Sequence, residues 1–110
     1  MAGSDVFTGT LDLLILRTLR GGMLHGYAIG RWLRETSEGV LQVEEGALYP
    51  ALHRLEKKGF IEAEWGQTEL NRPGRFYRLT AAGRKRLDAE SKRWREHARA
   101  VEAVLDSRRA

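Results

Sequence analysis

The sequence predicts a mainly α-helical α+β domain that carries one small β-hairpin and ends in a long helix. Three observations predict it. Apolar residues recur at intervals of three and four through most of the chain, the interval drops to two only across residues 60–65 and 75–80, and residues 81–106 contain no proline. With 110 residues, 42% of them hydrophobic and 31% charged, the chain can build one core and is too apolar for a disordered polymer.

The first helix is expected after a cap at Thr8 or Thr10, with Leu11, Leu14, Ile15 and Leu19 at helical spacing and a stop at Gly21 and Gly22. A second runs from about Gly26 to Thr36 and contributes Tyr27, Ile29, Trp32 and Leu33 as its apolar residues. The string SEGVLQV that follows reads as a connector that can be partly extended.

The third helix occupies about residues 45–58. At about 100° per residue, Leu48, Leu52 and Leu55 fall within about 60° of one another and face the core. The opposite face then carries Gly46, Ala47, Pro50, His53, Arg54 and Lys57, with Tyr49 on one flank and Lys58 at the other edge. If the helix begins near Gly46 or Ala47, Pro50 lies in its first turn, where a missing N–H costs little. A start at Glu44 predicts a kink at Pro50 instead.

In FIEAEW, Ile61, Ala63 and Trp65 point one way and Glu62 and Glu64 the other; in RFYRLT, Tyr77 and Leu79 oppose Phe76 and Arg78. Between them GQTELNRPG supplies the turn formers Asn71, Pro73 and Gly74, which makes a hairpin with a long, mobile tip flanked by Arg72 and Arg75. Thr80 caps a helix from Ala81 to about Asp106, about 39 Å long at about 1.5 Å per residue and longer than a domain of this size is wide. Its seam of Leu87, Ser91, Trp94, Ala98, Val101 and Leu105 exceeds what a small core can cover, and a second copy of the chain is the simplest cover.

Helix, helix, connector, exposed helix, hairpin with a basic tip and long helix are the ordered parts of a winged helix-turn-helix DNA-binding domain over residues 1–80, with the wing at about 60–79, plus a C-terminal dimerisation helix over 81–110. The charge pattern agrees. Residues 31–69 hold five lysines and arginines against eight acids, net −3, whereas residues 72–95 hold nine against two, net +7, within a chain of net charge +4. Such a basic segment points to a polyanion. The slim front of the third helix, Gly46 and Ala47, permits close approach to a groove floor, and spacing places His53, Arg54 and Lys57 where they reach bases, phosphates or water.

The strings LDLLILRTL, LHGYAIGRWL, EEGALYPALHRLEKKGFI and RPGRFYRLTAAGRKRL resemble the successive motifs of the PadR family of bacterial transcriptional regulators, over residues 11–87. The most specific are His25-Gly26-Tyr27 and Gly46-Ala47-Leu48-Tyr49-Pro50. The resemblance implies a homodimer, a third helix in the major groove, a wing on the backbone or minor groove, and repression of a nearby promoter relieved by a small aromatic effector. It carries DNA contact to Gly46, Ala47, Tyr49 and Pro50 and to the wing's Arg72 and Arg75. It also places the dimer interface on the first and last helices, at Leu11, Leu14, Leu87, Trp94, Ala98, Val101 and Leu105. Trp94 would either wall an effector cavity or plug that interface. Tyr49 would either reach a phosphate or pack beneath its helix.

Other functions find less support. The chain has no cysteine and no pair of histidines at i, i+4, so no metal site or cofactor is expected at His25, His53 or His97. His25 reads as a hydrogen-bonding residue at a helix start. No Ser/His/Asp order or phosphate-binding glycine loop is present, so an enzyme is not expected. No apolar run approaches a membrane span and MAGSDVFTG lacks a secretory pattern, which predicts a cytoplasmic, nucleoid-associated protein without membrane contact. The competing reading is a winged helix used for protein contact without sequence-specific DNA binding.

Overall fold

The computed structural model describes the backbone of residues 2–109 and the side chains of residues 9–109. The chain runs α1 (Ala2–Arg20), β1 (Leu24–His25), α2 (Gly26–Thr36), α3 (Glu45–Lys57), β2 (Ile61–Gln67), β3 (Pro73–Leu79) and α4 (Ala81–Leu105). The strands form an antiparallel sheet in the order β1-β3-β2. This is a winged helix-turn-helix with helices and sheet around one core.

That core is built from one face of every helix and one end of the sheet. Ile15, Leu16, Ile29, Leu52, Ile61 and Leu87 are its most deeply buried large side chains, each contributing about 1.5–3 kcal/mol by leaving water. Leu48 and Leu55 join Leu52 from α3, as helical spacing requires. In the hairpin Ile61 pairs with Leu79 and Ala63 with Tyr77, so the predicted inward face is the observed one over those rungs. The alternation outlasts the core, however: Trp65 lies opposite Arg75 and is 71% exposed. Tyr27, at the front of α2, is likewise 60% exposed, and Trp32 also reaches the surface, so neither is a core residue.

Several boundaries differ from expectation. α1 begins at Ala2, so neither Thr8 nor Thr10 caps it; the side chain of Thr8 lies outside the described residues. The connector after α2 opens with a turn, with Glu38 at φ 53° and Gly39 at φ 84° and Ser37 Oγ accepting from the Leu41 N–H at 2.9 Å, and reaches α3 through an extended Glu44. Strand β1 was not predicted. Two residues long, it exists only through pairing, Leu24 with Tyr77 and His25 with Phe76.

The wing tip is short and tied down, contrary to the long mobile loop expected. Strand pairing continues to Gln67 opposite Pro73. The Thr68 N–H donates to Arg72 O and the Asn71 N–H to Thr68 O, both at 2.9 Å, with Asn71 in the left-handed region at φ 59°. Asparagine tolerates that conformation better than most residues.

The joint between wing and α4 is also specified locally. Thr80 caps α4: its Oγ1 accepts from the Gly83 N–H at 3.0 Å and donates to Gly59 O at 2.7 Å. A Cβ at Gly83 would run into the Phe60 carbonyl oxygen, so only glycine allows the helix to start this close to the hairpin. Past Leu87 the helix leaves the core, in agreement with the predicted overhang, and Leu105 near its end is 75% exposed.

Candidate nucleic-acid interface

Helix α3 fixes the site. Glu44 is its N-cap without a side-chain cap bond, and the Ala47 and Leu48 N–H groups both donate to Glu44 O at 3.0 and 2.9 Å. Glu44 and Glu45 lie at the positive end of the helix dipole, where acids are stabilising. With Glu45 as the first helical residue, Pro50 sits in the second turn, not the first. The helix nevertheless continues through it. The lost hydrogen bond is the one to the carbonyl of Gly46, an exposed residue whose oxygen water can reach.

On a helical wheel Gly46, Pro50, His53 and Lys57 fall within about 60° of one another, opposite Leu48, Leu52 and Leu55. All four are exposed. The stripe therefore has a slim front and a polar, basic rear, and neither His53 nor Lys57 has an ion-pair partner among the described residues. Arg72, at the wing tip, is also exposed and without a carboxylate partner among the described residues.

The two flanks of the stripe are anchored. Toward α1, Ala47 and Arg54 are half-buried, and Arg54 Nη2 donates to Asp12 Oδ1 at 2.8 Å. Toward the wing, Arg75 forks onto Glu56, both N–H···O bonds at 2.9 Å. The carboxylate holds the Arg75 guanidinium above its usual range. Arg54 and Arg75 thus brace α3 from either side instead of standing free on its exposed face. Tyr49 lies on the wing flank, with its ring edge 2.8 Å from where a Gly26 Cβ would sit. Burial, followed by Glu45 and Tyr77, raises the Tyr49 pKa, so the phenol stays neutral and able to donate.

The wing tip is docked on α2. His25 is the N-cap of that helix, its Nδ1 accepting from the Ala28 N–H at 3.3 Å. A neutral ring that accepts at Nδ1 carries its proton on Nε2, which faces Glu69 Oε2 at 3.4 Å. Arg31 approaches the other Glu69 oxygen at 3.6 Å. Glu69 is held below the ordinary carboxylate range, first by a backbone N–H hydrogen bond and then by His25. Between tip, α2 and α3 lies a groove of about 600 Å³ whose walls include Tyr27, Tyr49, Trp65 and Tyr77. Sequence reasoning missed Asp12, Glu56 and Glu69, because carboxylates on separate elements give no periodic signal.

Among the residues assigned to an interface between copies, Leu11 and Leu87 are spent in the chain's own core. Leu14 and Ala98 are half-buried, while Trp94, Val101 and Leu105 are exposed along α4. Trp94, 47% exposed, borders a groove of about 440 Å³ together with Gly9, Leu13, Glu90, Glu96 and His97. No metal-holding cluster of His, Asp or Glu occurs among the described residues, and no described helix is long and apolar enough to cross a membrane.

Comparison with known proteins places this geometry. The model of the transcriptional regulator PadR-like family matches residues 15–89. An uncharacterised protein of Lysinibacillus sphaericus is 33% identical over 106 residues, which cover 96% of this chain and 94% of that protein. A transcriptional regulator of Mycobacterium tuberculosis is 41% identical over 73 residues, 66% of this chain and 67% of its own. Among solved structures, a transcriptional regulator from Clostridium thermocellum superposes with a TM-score of 0.80 at 31% identity, over 89% of this chain and 95% of that one. A PadR family transcription regulator from Clostridium difficile superposes with a TM-score of 0.74 at 30% identity, over 86% and 97%. With its fold, its exposed third helix and its hairpin wing accounted for, the chain belongs to the PadR-like family of transcriptional regulators.

Proposed function

We propose that this regulator is a homodimeric repressor that lays α3 into the major groove of a pseudo-palindromic operator. The observation that carries the reading is the exposed stripe of Gly46, Pro50, His53 and Lys57, free of carboxylate partners while its flanks are braced. Pro50 and Gly46 keep the front of the helix thin, Lys57 and His53 supply donors, Tyr49 offers a neutral hydroxyl, and Arg72 extends the contact to the backbone beside the groove. Arg54 and Arg75 act mainly by holding the helix and wing in register. Occupancy of a promoter is enough to block transcription sterically, which is why repression is the simplest outcome.

Dimerisation rests on the exposed Trp94, Val101 and Leu105 of α4, apolar groups that a second copy would remove from water. A two-fold axis through that seam would present two copies of α3 to successive major grooves, about 34 Å apart. The groove beside Trp94 is the place for a planar aromatic effector, stacked on the indole between Leu13 and the carboxylates of Glu90 and Glu96. The exposed Tyr27, Trp65 and Leu70 favour a second reading, in which the wing contacts a protein.

Selection of bound fragments from random duplexes distinguishes these readings. The expected result is an inverted repeat with half-site centres about 10 base pairs apart, and binding that weakens by orders of magnitude between about 50 and 200 mM salt. No enrichment, or an enriched site without symmetry, overturns the dimeric operator reading.

A further inference from the structure

Among the described residues seven of the fifteen arginines have a carboxylate partner, among them Arg31 with Glu69, Arg54 with Asp12, Arg75 with Glu56, Arg78 with Glu62 and Glu64, and Arg86 and Arg93 with Glu90. A depression of about 290 Å³ between α1 and α4 gathers several of the cations that have none. Arg17 and Arg20 reach it from the last turn of α1, and Lys92, Arg95 and Arg99 from α4. Its one acid is Asp88, which stands 3.7 Å from Arg20. Among the described residues, Arg17, Lys92, Arg95 and Arg99 have no carboxylate within ion-pair distance.

Two features of this cluster call for a ligand. Lys92, Arg95 and Arg99 are like charges at i, i+3 and i, i+4; Asp88, Glu96 and Glu102 stand at helical spacing from Lys92 and Arg99, but Arg95 has no acid three or four residues away, so the repulsion is only partly offset within the helix. The negative end of the α1 dipole offsets Arg17 and Arg20 but not the cations of α4. The cations of α4 also span about 10 Å along the helix axis, at about 1.5 Å per residue, which is more than one phosphate needs and suits a short chain of them. Ser91 lies at the same depression and adds a hydroxyl. On the helical wheel the basic stripe lies about a third of a turn from Trp94, Ala98 and Leu105, so a second copy covering that seam leaves the depression at its rim, open.

We infer that this depression is an anion site for an oligophosphate group, as carried by a nucleoside triphosphate or a short inorganic polyphosphate. Arginine forks and a lysine point charge clamp the phosphate oxygens through charge-assisted hydrogen bonds, and the concavity limits the guest to a compact chain. The site is separate from the α3 stripe, so it stands or falls independently of operator recognition.

Calorimetric titration of the full chain with inorganic triphosphate, at constant ionic strength, tests it. The expected result is saturable binding at one site per chain, at least about tenfold tighter than for monophosphate or sulfate. Arg95→Gln with Arg99→Gln should weaken it by about tenfold or more and Arg95→Lys with Arg99→Lys by less, because charge is kept but the fork is lost, whereas the α3 variant Lys57→Ala should leave it within about twofold. If the double glutamine variant loses its helical circular dichroism, Lys92→Gln carries the same comparison. Adenosine triphosphate binding like inorganic triphosphate identifies the phosphate chain as the recognised part. Equal affinity for monophosphate, or triphosphate binding untouched by both glutamine variants, overturns the site. So does failure to bind triphosphate when those variants weaken only a 20-base-pair duplex, since the patch is then a DNA backbone contact.

Discussion

A guanidinium offers five donors in a rigid fork, and how that fork is used decides what an arginine can do. At Arg54 it is half-buried against Asp12, and at Arg75 it is filled by both oxygens of Glu56. Replacing Asp12 with Ala therefore acts first on stability. A loss of about 1 kcal/mol is expected, a fall in Tm of about 4–8 °C, with low-salt affinity for non-operator duplex rising as Arg54 is released. Thermal melts and duplex titration of Asp12→Ala measure both; a rise in Tm would show the pair to be unfavourable. The tip carries a pH dependence of opposite chemical origin. Because the folded-state pKa of Glu69 lies below its unfolded value, its anchorage is complete above the ordinary carboxylate pKa of about 4.3 and is lost as pH falls through the lowered value. Trp65 emission should report that release in acid, and Glu69→Gln should remove the transition.

At the scale of elements, legibility followed the locality of the signal. α2 was placed at its observed bounds and α4 within a residue of its end because their caps and glycines are neighbours in the chain. Alternation identified both long strands but not their full extent, since Gly66 and Gln67 add rungs without apolar character. β1 was invisible: two residues cannot show a period, and only the register with Tyr77 and Phe76 makes them a strand. Pro50 misled in the other direction. A preference for early helical positions is real, yet an exposed second-turn carbonyl tolerates the loss. The exposed stripe on α3 could be read from spacing alone, whereas the roles of Arg54 and Arg75 could not, because Asp12 is 42 residues from its partner and Glu56 19 residues from its own. The joint before α4 gives the sharpest element-level test. Gly83→Ala must displace the Phe60 backbone or tilt the helix, and a loss of about 2–4 kcal/mol is expected in denaturant unfolding. Stability within about 0.5 kcal/mol of the parent would mean that the joint is looser than it looks.

The whole molecule measures 58 × 28 × 26 Å, and the long dimension is the signature of a helix that outruns its core. Such a shape is uneconomical for a solitary chain and sensible for a paired one. On the proposed pairing through this seam, Val101→Asp should yield monomer and weaken duplex binding in parallel, with little effect on the core, because Val101 lies outside the buried cluster. Sedimentation velocity checks the first and duplex titration the second. A dimer surviving the substitution would move the interface off this seam.

The three tryptophans stand far apart in role: Trp32 beside the cleft of Arg17 and Met23, Trp65 on the wing, and Trp94 on the projecting helix. Each is partly in water, so each will change colour when something covers it. Two-tryptophan-to-phenylalanine variants, leaving one native indole at a time, would let a stopped-flow trace separate events at the projecting helix from events at the wing, with no dye attached.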